Sequence, residues 1–344
     1  MKKLLTMLIC LLMVSGLSAC SGEENGTDEG GMVYTIGICN YVDDASLNQI
    51  VDSIKERLNE LSEENGVTIR INEDNANADA NVLSQIVSNF IADEVDLMIG
   101  IATPVAMNMQ GQTEDNPIPV VFAAVSDPLV TGLVESLEKP GANITGTSDY
   151  LDTDAILDLM FVLDPEITDV GLLYDVSQDA STTAIRQAKE YLNRKGVTIH
   201  EKTGTNVDEI RLAVGSLINE GVSAVFTPSD NTVMTAELSI YEDLANAGIL
   251  HYAGADSFAL NGAFLGYGVD YANLGRETGE MAFEILVSGK SPAEMPVKTF
   301  DNGIATVNTE ICELVGLDYS AVEALFTPHC SKVQPITTAE YFGE

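Results

Sequence analysis

Short polar side chains follow several of the predicted strands in this sequence, and their types suit the binding of a small charged molecule. They occupy residues 40–42, 102–104, 124–128, 175, 228–231 and 254–257. Several of these segments precede a predicted helix, where hydroxyl groups and free backbone N–H groups bind an anion such as a carboxylate. In open α/β sheets, ligands bind beyond the carboxyl ends of the strands. The sequence therefore predicts a binding cleft built from these loops.

Motifs for catalysis, for a metal site and for a bound cofactor are absent from the sequence. There is no Gly-x-Ser-x-Gly segment, no phosphate-binding loop and no Gly-x-Gly-x-x-Gly after the first strand, where Gly37 leads to Asn40. The only histidines are His200, His251 and His329, and no pair has the spacing of zinc ligands. We therefore predict a binding protein without enzymatic activity, metal or cofactor; a surface hydrolase is the less favoured alternative.

The elements that must position these loops alternate between short apolar strands and amphipathic helices. Residues 46–61, for example, place Leu47 and Ile54 on one helical face. The alternation restarts after a break near residues 141–149. The helices predicted beyond that break are 153–163, 182–194, 208–219, 232–247 and 274–287. Near-continuous apolar strands between helices indicate parallel sheets covered on both faces, so we predict an α/β fold of two doubly wound parallel-sheet lobes.

The first twenty residues have the order of charge, apolar run and small residues that is typical of a lipoprotein signal peptide. Lys2 and Lys3 precede an apolar run at 4–14, which is shorter than the about 20 residues of a transmembrane helix. Leu17-Ser18-Ala19-Cys20 then resembles a bacterial lipobox, whose cysteine thiol receives a diacylglyceryl group. We predict lipidation at Cys20 and a flexible tether at 21–32. An ordinary signal peptide with a chance cysteine is the alternative.

The balance of charge argues against several kinds of partner. The 344 residues contain 53 acidic and 16 basic side chains, which gives a formal net charge of −37. Nucleic-acid binding depends on neutralising phosphates with Lys and Arg, so we predict no nucleic-acid partner and no docking of the protein surface on anionic lipid. Hydrophobic residues make up 45% of the chain, which is enough for a substantial core, and we expect a monomer.

Three cysteines remain after the signal peptide and the lipidation site are set aside: Cys39, Cys312 and Cys330. An odd number without a Cys-x-x-Cys pair does not indicate a disulfide framework. Pairing of Cys312 with Cys330 is left open by the sequence.

The loop segments, read in order, resemble those of a known family. The matching segments are VDDASLNQI, GIATPVA, PVVFAAVSDPL, GANITGTSD, VFTPSDNTV and YGVDYANLGRETGEMAFEIL. They resemble the substrate-binding proteins of ABC transporters, of the type that includes tryptophan- and tyrosine-associated binding lipoproteins. This sequence has Asp44-Ala45 where such proteins often carry His-Pro. Because that loop borders the expected cleft, the choice of ligand can differ.

The resemblance implies two lobes joined by a hinge of several crossing strands, as in the type I periplasmic-binding-protein-like fold. By that analogy the first lobe spans 33–145 plus 257–289, and the second spans 146–256 plus 290–319. Residues 320–344 are expected to form a C-terminal tail, which is polar from about residue 331. The implied partners are an ABC permease and its ATPase, and the implied location is the extracytoplasmic face of the cell membrane, held by the anchor at Cys20.

The resemblance also implies an amino-acid ligand, with aromatic amino acids best represented, buried as a zwitterion between the lobes. Thr103 and Ser126 are candidates for binding its carboxylate, with helix N-caps as their alternative role. Asp256 is the first candidate for binding its ammonium, with an Asx turn as the alternative. The remaining candidate ligand-binding residues are Tyr41, Asp127, Asp149, Tyr174, Asp230, Asn231 and Tyr271. Asp230 could equally cap the helix that begins at Asn231, and each tyrosine could serve the core or the rim.

The predicted function is therefore the capture of an amino acid by hinge closure for import through an ABC transporter. One alternative is a binding protein for a nucleoside, a peptide or another small solute. A second alternative is a subunit that senses its ligand without transporting it. None of the binding alternatives involves breaking a bond.

Overall fold

The computed structural model describes residues 32–300 and 302–342. The predicted signal peptide, the lipidation site Cys20 and residues 21–31 of the predicted tether lie outside the described residues. Among the residues that are described, no helix is long and apolar enough to cross a membrane.

Strands and helices alternate along most of the described chain. The strands are β1 (Val33–Asn40), β2 (Thr68–Asn75), β3 (Leu97–Ile101), β4 (Val120–Ala123), β5 (Ile144–Ser148), β6 (Asp169–Tyr174), β7 (Thr198–Thr203), β8 (Ala224–Thr227), β9 (Leu250–Ala253), β10 (Leu265–Gly268), β11 (Lys298–Thr299), β12 (Ile304–Asn308) and β13 (Lys332–Ile336). The α-helices are α1 (Ala45–Asn65), α2 (Ala80–Ala92), α3 (Thr103–Gln112), α4 (Thr153–Leu163), α5 (Asp179–Lys195), α6 (Val207–Glu220), α7 (Asn231–Ala236), α8 (Tyr241–Asn246), α9 (Asp256–Leu260), α10 (Tyr271–Ser288), α11 (Thr309–Leu314) and α12 (Tyr319–Phe326).

The first sheet is parallel throughout and has the strand order β11-β5-β4-β3-β1-β2. Helix α1 packs near it, beginning at the N-cap Asp44, whose Oδ1 accepts a hydrogen bond from the backbone N–H of Leu47 at 3.0 Å. The helix ends at Gly66, whose φ of 64° is in the left-handed region that favours glycine. The apolar face of α1 packs against α10, where Gly275 lets the two backbones approach closely.

The second sheet has the strand order β13-β12-β10-β9-β8-β6-β7 and is parallel except for the antiparallel pair β10 and β12. Its core includes Tyr252, Phe264 and Phe326, whose rings meet edge to face at centroid distances of 5.3 and 6.5 Å. The two sheets confirm the predicted α/β fold of two parallel-sheet lobes.

The strand pairing differs from the division of the lobes that the sequence predicted. Strand β10 was expected in the first lobe, but it pairs with β9 and β12 of the second sheet. Strand β11 was expected in the second lobe, but it pairs with β5 of the first sheet. The expected tail at 320–344 contains most of α12 and all of β13, and β13 extends the second sheet beside β12. Apolar runs identify strands, but they do not show to which edge each strand is added.

Three connections pass between the sheets. They lie between β5 and α4, between β10 and α10, and between β11 and β12. Two of them are tied together by a hydrogen bond from the Asn302 side chain to the carbonyl of Tyr150. Any rotation of one lobe against the other has to be absorbed in these short segments.

The predicted helices are confirmed except for the one expected at 232–247. In its place α7 is followed by a 3₁₀ turn, Glu237–Ser239, and then by α8. The interruption brings the fully buried Glu237 beside His251, with Oε1 and Nδ1 2.9 Å apart. An uninterrupted helix was therefore the wrong prediction, because a buried polar contact overrides the apolar periodicity here. The three cysteines of the described chain, Cys39, Cys312 and Cys330, are free thiols.

Replacing Gly275 by Ala should destabilise the protein by about 1–3 kcal/mol, because the new Cβ would lie 2.6 Å from the carbonyl oxygen of Ile50. Gly215 of α6 is the matched control, since a Cβ there meets nothing within 4 Å. Gly215→Ala should instead stabilise by about 0.5–1 kcal/mol through its higher helix propensity. Urea unfolding measures both variants; equal effects would contradict the close packing of α1 on α10.

Candidate functional site

A pocket of about 400 Å³, including space open to solvent, lies where loops of both lobes meet beyond the strand ends. The residues that line it from the first-lobe elements and the connections are Asp44, Ser46, Leu47, Ala102, Thr103, Ala124, Ser126, Asp149 and Tyr271. Those from the second-lobe elements are Ala180, Ser229, Asn231, Met234 and Ala255.

Thr103 presents an open hydrogen-bonding group to this pocket. It is the first residue of α3, directly after β3, and only 2% of its surface is exposed. Its Oγ1 is buried and has no hydrogen-bond partner. The helix N-cap is Ala102 and makes no side-chain cap, so Thr103 does not act as the cap that was its alternative role. Because buried hydroxyls normally have partners, Thr103 Oγ1 is the wall atom that a ligand can satisfy.

Asp149 is held at the pocket wall by Ser126. The Ser126 hydroxyl donates to Oδ1 of Asp149 at 3.1 Å, and both side chains are buried. Burial raises the pKa of the Asp149 carboxyl to about 6, against the opposing effect of the Ser126 hydrogen bond. Ser126 was expected to bind a ligand carboxylate directly; instead its proton is committed to Asp149.

Asp44 is a second carboxylate on the pocket wall. It is 7% exposed, and burial raises its pKa to about 6 even though it accepts the capping hydrogen bond from Leu47. The sequence marked Asp44-Ala45 as a departure from the family but did not include Asp44 among the site residues. Its position directly before a helix, in the loop after β1, was the signal that could have identified it.

Asp256 lies behind Ser46 and does not line the pocket. The Ser46 hydroxyl donates to Asp256 Oδ1 at 2.6 Å and accepts from the backbone N–H of Ser257 at 3.2 Å. Burial raises the pKa of Asp256 to about 6, and the negative charge of Asp44 adds to that increase. This contact joins α1 to α9, which packs with the second sheet. Asp256 therefore acts on the pocket through Ser46.

Tyr271 lies near the three carboxylates Asp149, Asp256 and Asp44. Burial, followed by the charges of Asp149, Asp256 and Asp44, raises the pKa of Tyr271 well above its usual value, so its phenol stays protonated. No Lys, Arg or His is among the residues that line the pocket. Among the described residues, no cluster of His, Cys, Asp and Glu could hold a metal ion. The pocket thus has an excess of negative charge.

Asn231 and Met234 reach the pocket from α7, whose position is held by buried polar contacts. Asn231 Nδ2 donates to Gln178 at 3.1 Å. His251 bridges the end of this segment to β8, with its Nδ1 2.9 Å from Glu237 and its Nε2 2.8 Å from Thr227 Oγ1. Met234 was missed by the sequence analysis, although its spacing of three residues from Asn231 places both on one helix face.

Several predicted site residues lie away from the pocket. Asp230 is fully buried and caps α7, which is its alternative role. Asp127 accepts a hydrogen bond from Thr183 Oγ1 at 2.9 Å in a neighbouring, smaller cavity. Tyr174 donates to Glu201 at the surface, and Tyr41 packs beside the first-lobe core. Of the predicted residues, Thr103, Ser126, Asp149, Asn231 and Tyr271 are brought together.

The sequence of this chain matches one known protein family over most of its length. The model of the family described as ABC transporter substrate binding protein matches residues 35–325. This chain belongs to that family. Proteins of this family bind solutes and are not enzymes, so the prediction of no enzymatic activity is confirmed.

Individual relatives extend the family resemblance. The Tyrosine-binding protein of Clostridioides difficile is 32% identical over 332 residues, covering 94% of each chain. A Streptococcus pneumoniae ABC domain in complex with L-Trp has a TM-score of 0.80 at 28% identity, covering 87% of this chain and 99% of that one. A ligand-free, open substrate binding protein with adhesive properties from Clostridium difficile has a TM-score of 0.66 at 31% identity, covering 89% and 100%.

The raised carboxyl pKa values predict how the stability of the ligand-free protein depends on pH. The folded-state pKa of Asp149, about 6, lies above its ordinary value of 3.8, so the folded protein binds the extra proton. Stability should therefore decrease as pH rises from about 4 to about 6. Asp149→Asn should remove this loss and raise the free energy of unfolding at pH 7 by about 1–3 kcal/mol, with no gain at pH 4.

Thermal unfolding across this pH range measures the effect. The control is Asp115→Asn, a substitution of an exposed loop residue that should leave the pH dependence unchanged. A loss of stability in Asp149→Asn at pH 7 would show that the ionised carboxylate is stabilising in the empty pocket, contrary to this account.

Proposed function

We propose that this protein captures an amino acid with an aromatic side chain outside the cytoplasm and delivers it to an ABC permease and its ATPase. The observation that carries the proposal is the composition of the pocket. Two carboxylates line it, no cationic side chain does, and a buried hydroxyl on its wall lacks a partner. A zwitterion supplies both the missing cation and the missing hydrogen-bond acceptor in one molecule.

The ligand ammonium is assigned to the acidic side of the pocket. Asp149 and Asp44 are both buried there, and an unpaired buried charge is costly. A primary ammonium with three donors can bond to both carboxylates at once. Its positive charge would also lower their raised pKa values, so binding and ionisation favour each other.

The ligand carboxylate is assigned to the start of α3. Thr103 offers its unpartnered hydroxyl, and the N-terminus of this ten-residue helix carries a partial positive charge. The second helical residue, Pro104, has no N–H to donate, so the hydroxyl is the more important donor at this end.

The side chain of the ligand is assigned to the apolar part of the wall. Leu47 and Met234 lie there with several alanines, and Tyr271 offers a ring that can pack against another aromatic group. The preference for an aromatic ligand is supported by two relatives, one named for tyrosine binding and one solved with L-Trp.

Hinge closure is proposed as the mechanism of capture. Two side-chain hydrogen bonds join the lobes beside the pocket, Ser46 to Asp256 and Thr183 to Asp127. The TM-score is higher with the L-Trp complex, 0.80, than with the ligand-free, open relative, 0.66, although the latter is the more identical in sequence. Both observations support a closed arrangement in which the ligand is sealed from water.

The membrane anchor completes the proposal. Lipidation of Cys20 would hold the protein at the outer face of the membrane, within reach of its permease, where it would act as a monomer. This part of the proposal rests on the lipobox sequence alone, because Cys20 lies outside the described residues.

A ligand series tests the assignment of both charged groups. L-Trp, L-Tyr and L-Phe should raise the melting temperature, since a ligand at a hundredfold over its dissociation constant adds about 2.7 kcal/mol. Indole-3-propionate, which lacks the ammonium, should not bind; tryptamine, which lacks only the carboxylate, should bind more weakly than L-Trp. Because the chain contains no Trp, the indole emission of L-Trp, indole-3-propionate and tryptamine reports their binding directly.

Binding of indole-3-propionate as tight as that of L-Trp would contradict the role of the carboxylates. A response to sugars or nucleosides alone would keep the binding function and reject the amino acid.

Asp149→Asn should weaken L-Trp binding by about 10- to 100-fold, because it removes a buried charge–charge hydrogen bond. Asp152→Asn is the matched control, since Asp152 caps α4 at an exposed position and Asn caps equally well. In the unaltered protein, affinity should fall as pH drops below about 6, where Asp149 takes up a proton. Titrations by ligand fluorescence measure these effects, and equal affinities of the two variants would rule out Asp149 as an ammonium ligand.

A further inference from the structure

The segment after β13 does not end at the sheet but continues along the second lobe. The backbone N–H of Ala339 donates to the carbonyl of Leu260, and the Asn261 side chain donates to the carbonyl of Ala339, both at 2.9 Å. The Thr338 hydroxyl accepts from Asn308 at 2.9 Å. Three polar groups of the second lobe, the Leu260 carbonyl and the side chains of Asn261 and Asn308, thus hold residues 338 and 339 in place.

Two residues further on, the same segment reaches the first lobe. The Tyr341 hydroxyl donates to Oδ2 of Asp43 at 3.2 Å. Asp43 directly precedes the pocket residue Asp44, and its other carboxylate oxygen accepts from Asn48 of α1 at 2.6 Å. The C-terminal segment therefore spans from one lobe to the other beside the start of α1.

This segment also forms the outer wall of a second cavity. The cavity has a volume of about 560 Å³ including space open to solvent, and Glu340 and Tyr341 line it together with Asp44 and Met234. Asp44 and Met234 are also walls of the central pocket. The cavity therefore lies between the central pocket and the C-terminal segment, at one mouth of the cleft.

We propose that residues 338–342 form a strap that closes this mouth of the cleft and slows the release of the bound ligand. The strap is fastened to the second lobe at Ala339, and its tip holds the first lobe through Tyr341 and Asp43. Opening of the lobes has to break this outer hydrogen bond before the ligand can leave. The proposal rests on the proposed hinge closure and adds to it a segment that the sequence presented only as a polar tail.

The release rate of L-Trp tests the strap, with the ligand's own emission followed in a stopped-flow displacement experiment. Tyr341→Phe removes one hydrogen bond and should accelerate release about two- to tenfold. Deletion of residues 340–344 should accelerate release at least as much, because it also removes the wall. Tyr34→Phe is the matched control, since its hydroxyl donates to the sulfur of Met32 near the start of β1, and it should leave the rate unchanged. Unchanged release in both strap variants would overturn the proposal.

A second readout needs no ligand and separates the strap from the proposed function. A cysteine introduced by Met234→Cys lies between the pocket and the second cavity, and its rate of modification by a thiol reagent reports how open that mouth is. Deletion of 340–344 should raise this rate several-fold over the full chain. If L-Trp fails to bind but the rate rises, the proposed ligand is wrong and the strap stands. If the rate is unchanged, the strap is wrong whatever the ligand.

Discussion

Three carboxylates meet beside one cleft without a cation on its wall, and the rest of the structure is arranged to hold them there. Asp44 is fixed by the N-terminus of α1, Asp149 by the Ser126 hydroxyl and Asp256 by the Ser46 hydroxyl. Burial disfavours the charged form of each carboxyl and raises all three pKa values to about 6, and the charge of Asp44 adds to the increase at Asp256. In the proposed function a ligand ammonium offsets this cost of burial, so the carboxylates that destabilise the ligand-free protein contribute affinity for a zwitterion.

The pocket is lined by residues of both lobes, which the proposed hinge closure requires. Asp44 and Thr103 follow β1 and β3 of the first sheet, at the starts of α1 and α3. Asn231 and Met234 belong to α7 of the second lobe. A site shared between two lobes can bind its ligand when the lobes are apart and exclude water when they close. The three connections are short, and the side-chain hydrogen bonds between the lobes include Ser46 to Asp256, Thr183 to Asp127 and Tyr341 to Asp43, which a hinge opening of the proposed kind would break.

Much of the fold could be predicted because each helix and strand buries a periodic set of apolar side chains. Leu47, Ile50 and Ile54 are buried on α1 as their spacing requires, and Gly66 ends that helix. Strand order could not be predicted in the same way. The apolar run that forms β10 does not indicate which of the two sheets it joins. The expectation of a tail was wrong for β13. The strand has polar and apolar residues without a clear pattern, and it forms by pairing with β12.

The site was partly predictable for a similar reason. Loops after strands gave Thr103, Ser126, Asp149, Asn231 and Tyr271, because parallel strands end at a common edge. The same rule did not distinguish a carboxylate that faces the cleft from one that turns inward as a cap. Asp230 is the clear case, since it caps α7 and holds the N–H of Asp175 and the hydroxyl of Ser181 inside the second lobe.

The most direct measurement of the central claim is the number of protons exchanged when L-Trp binds at pH 6. Calorimetric titration in buffers of different ionisation enthalpy gives that number. Carboxyl groups with a pKa of about 6 are partly protonated before binding, so the arrival of the ammonium should release protons to the buffer. Binding heats that do not depend on the buffer, or proton uptake, would contradict the claim that the ligand replaces protons on these carboxylates.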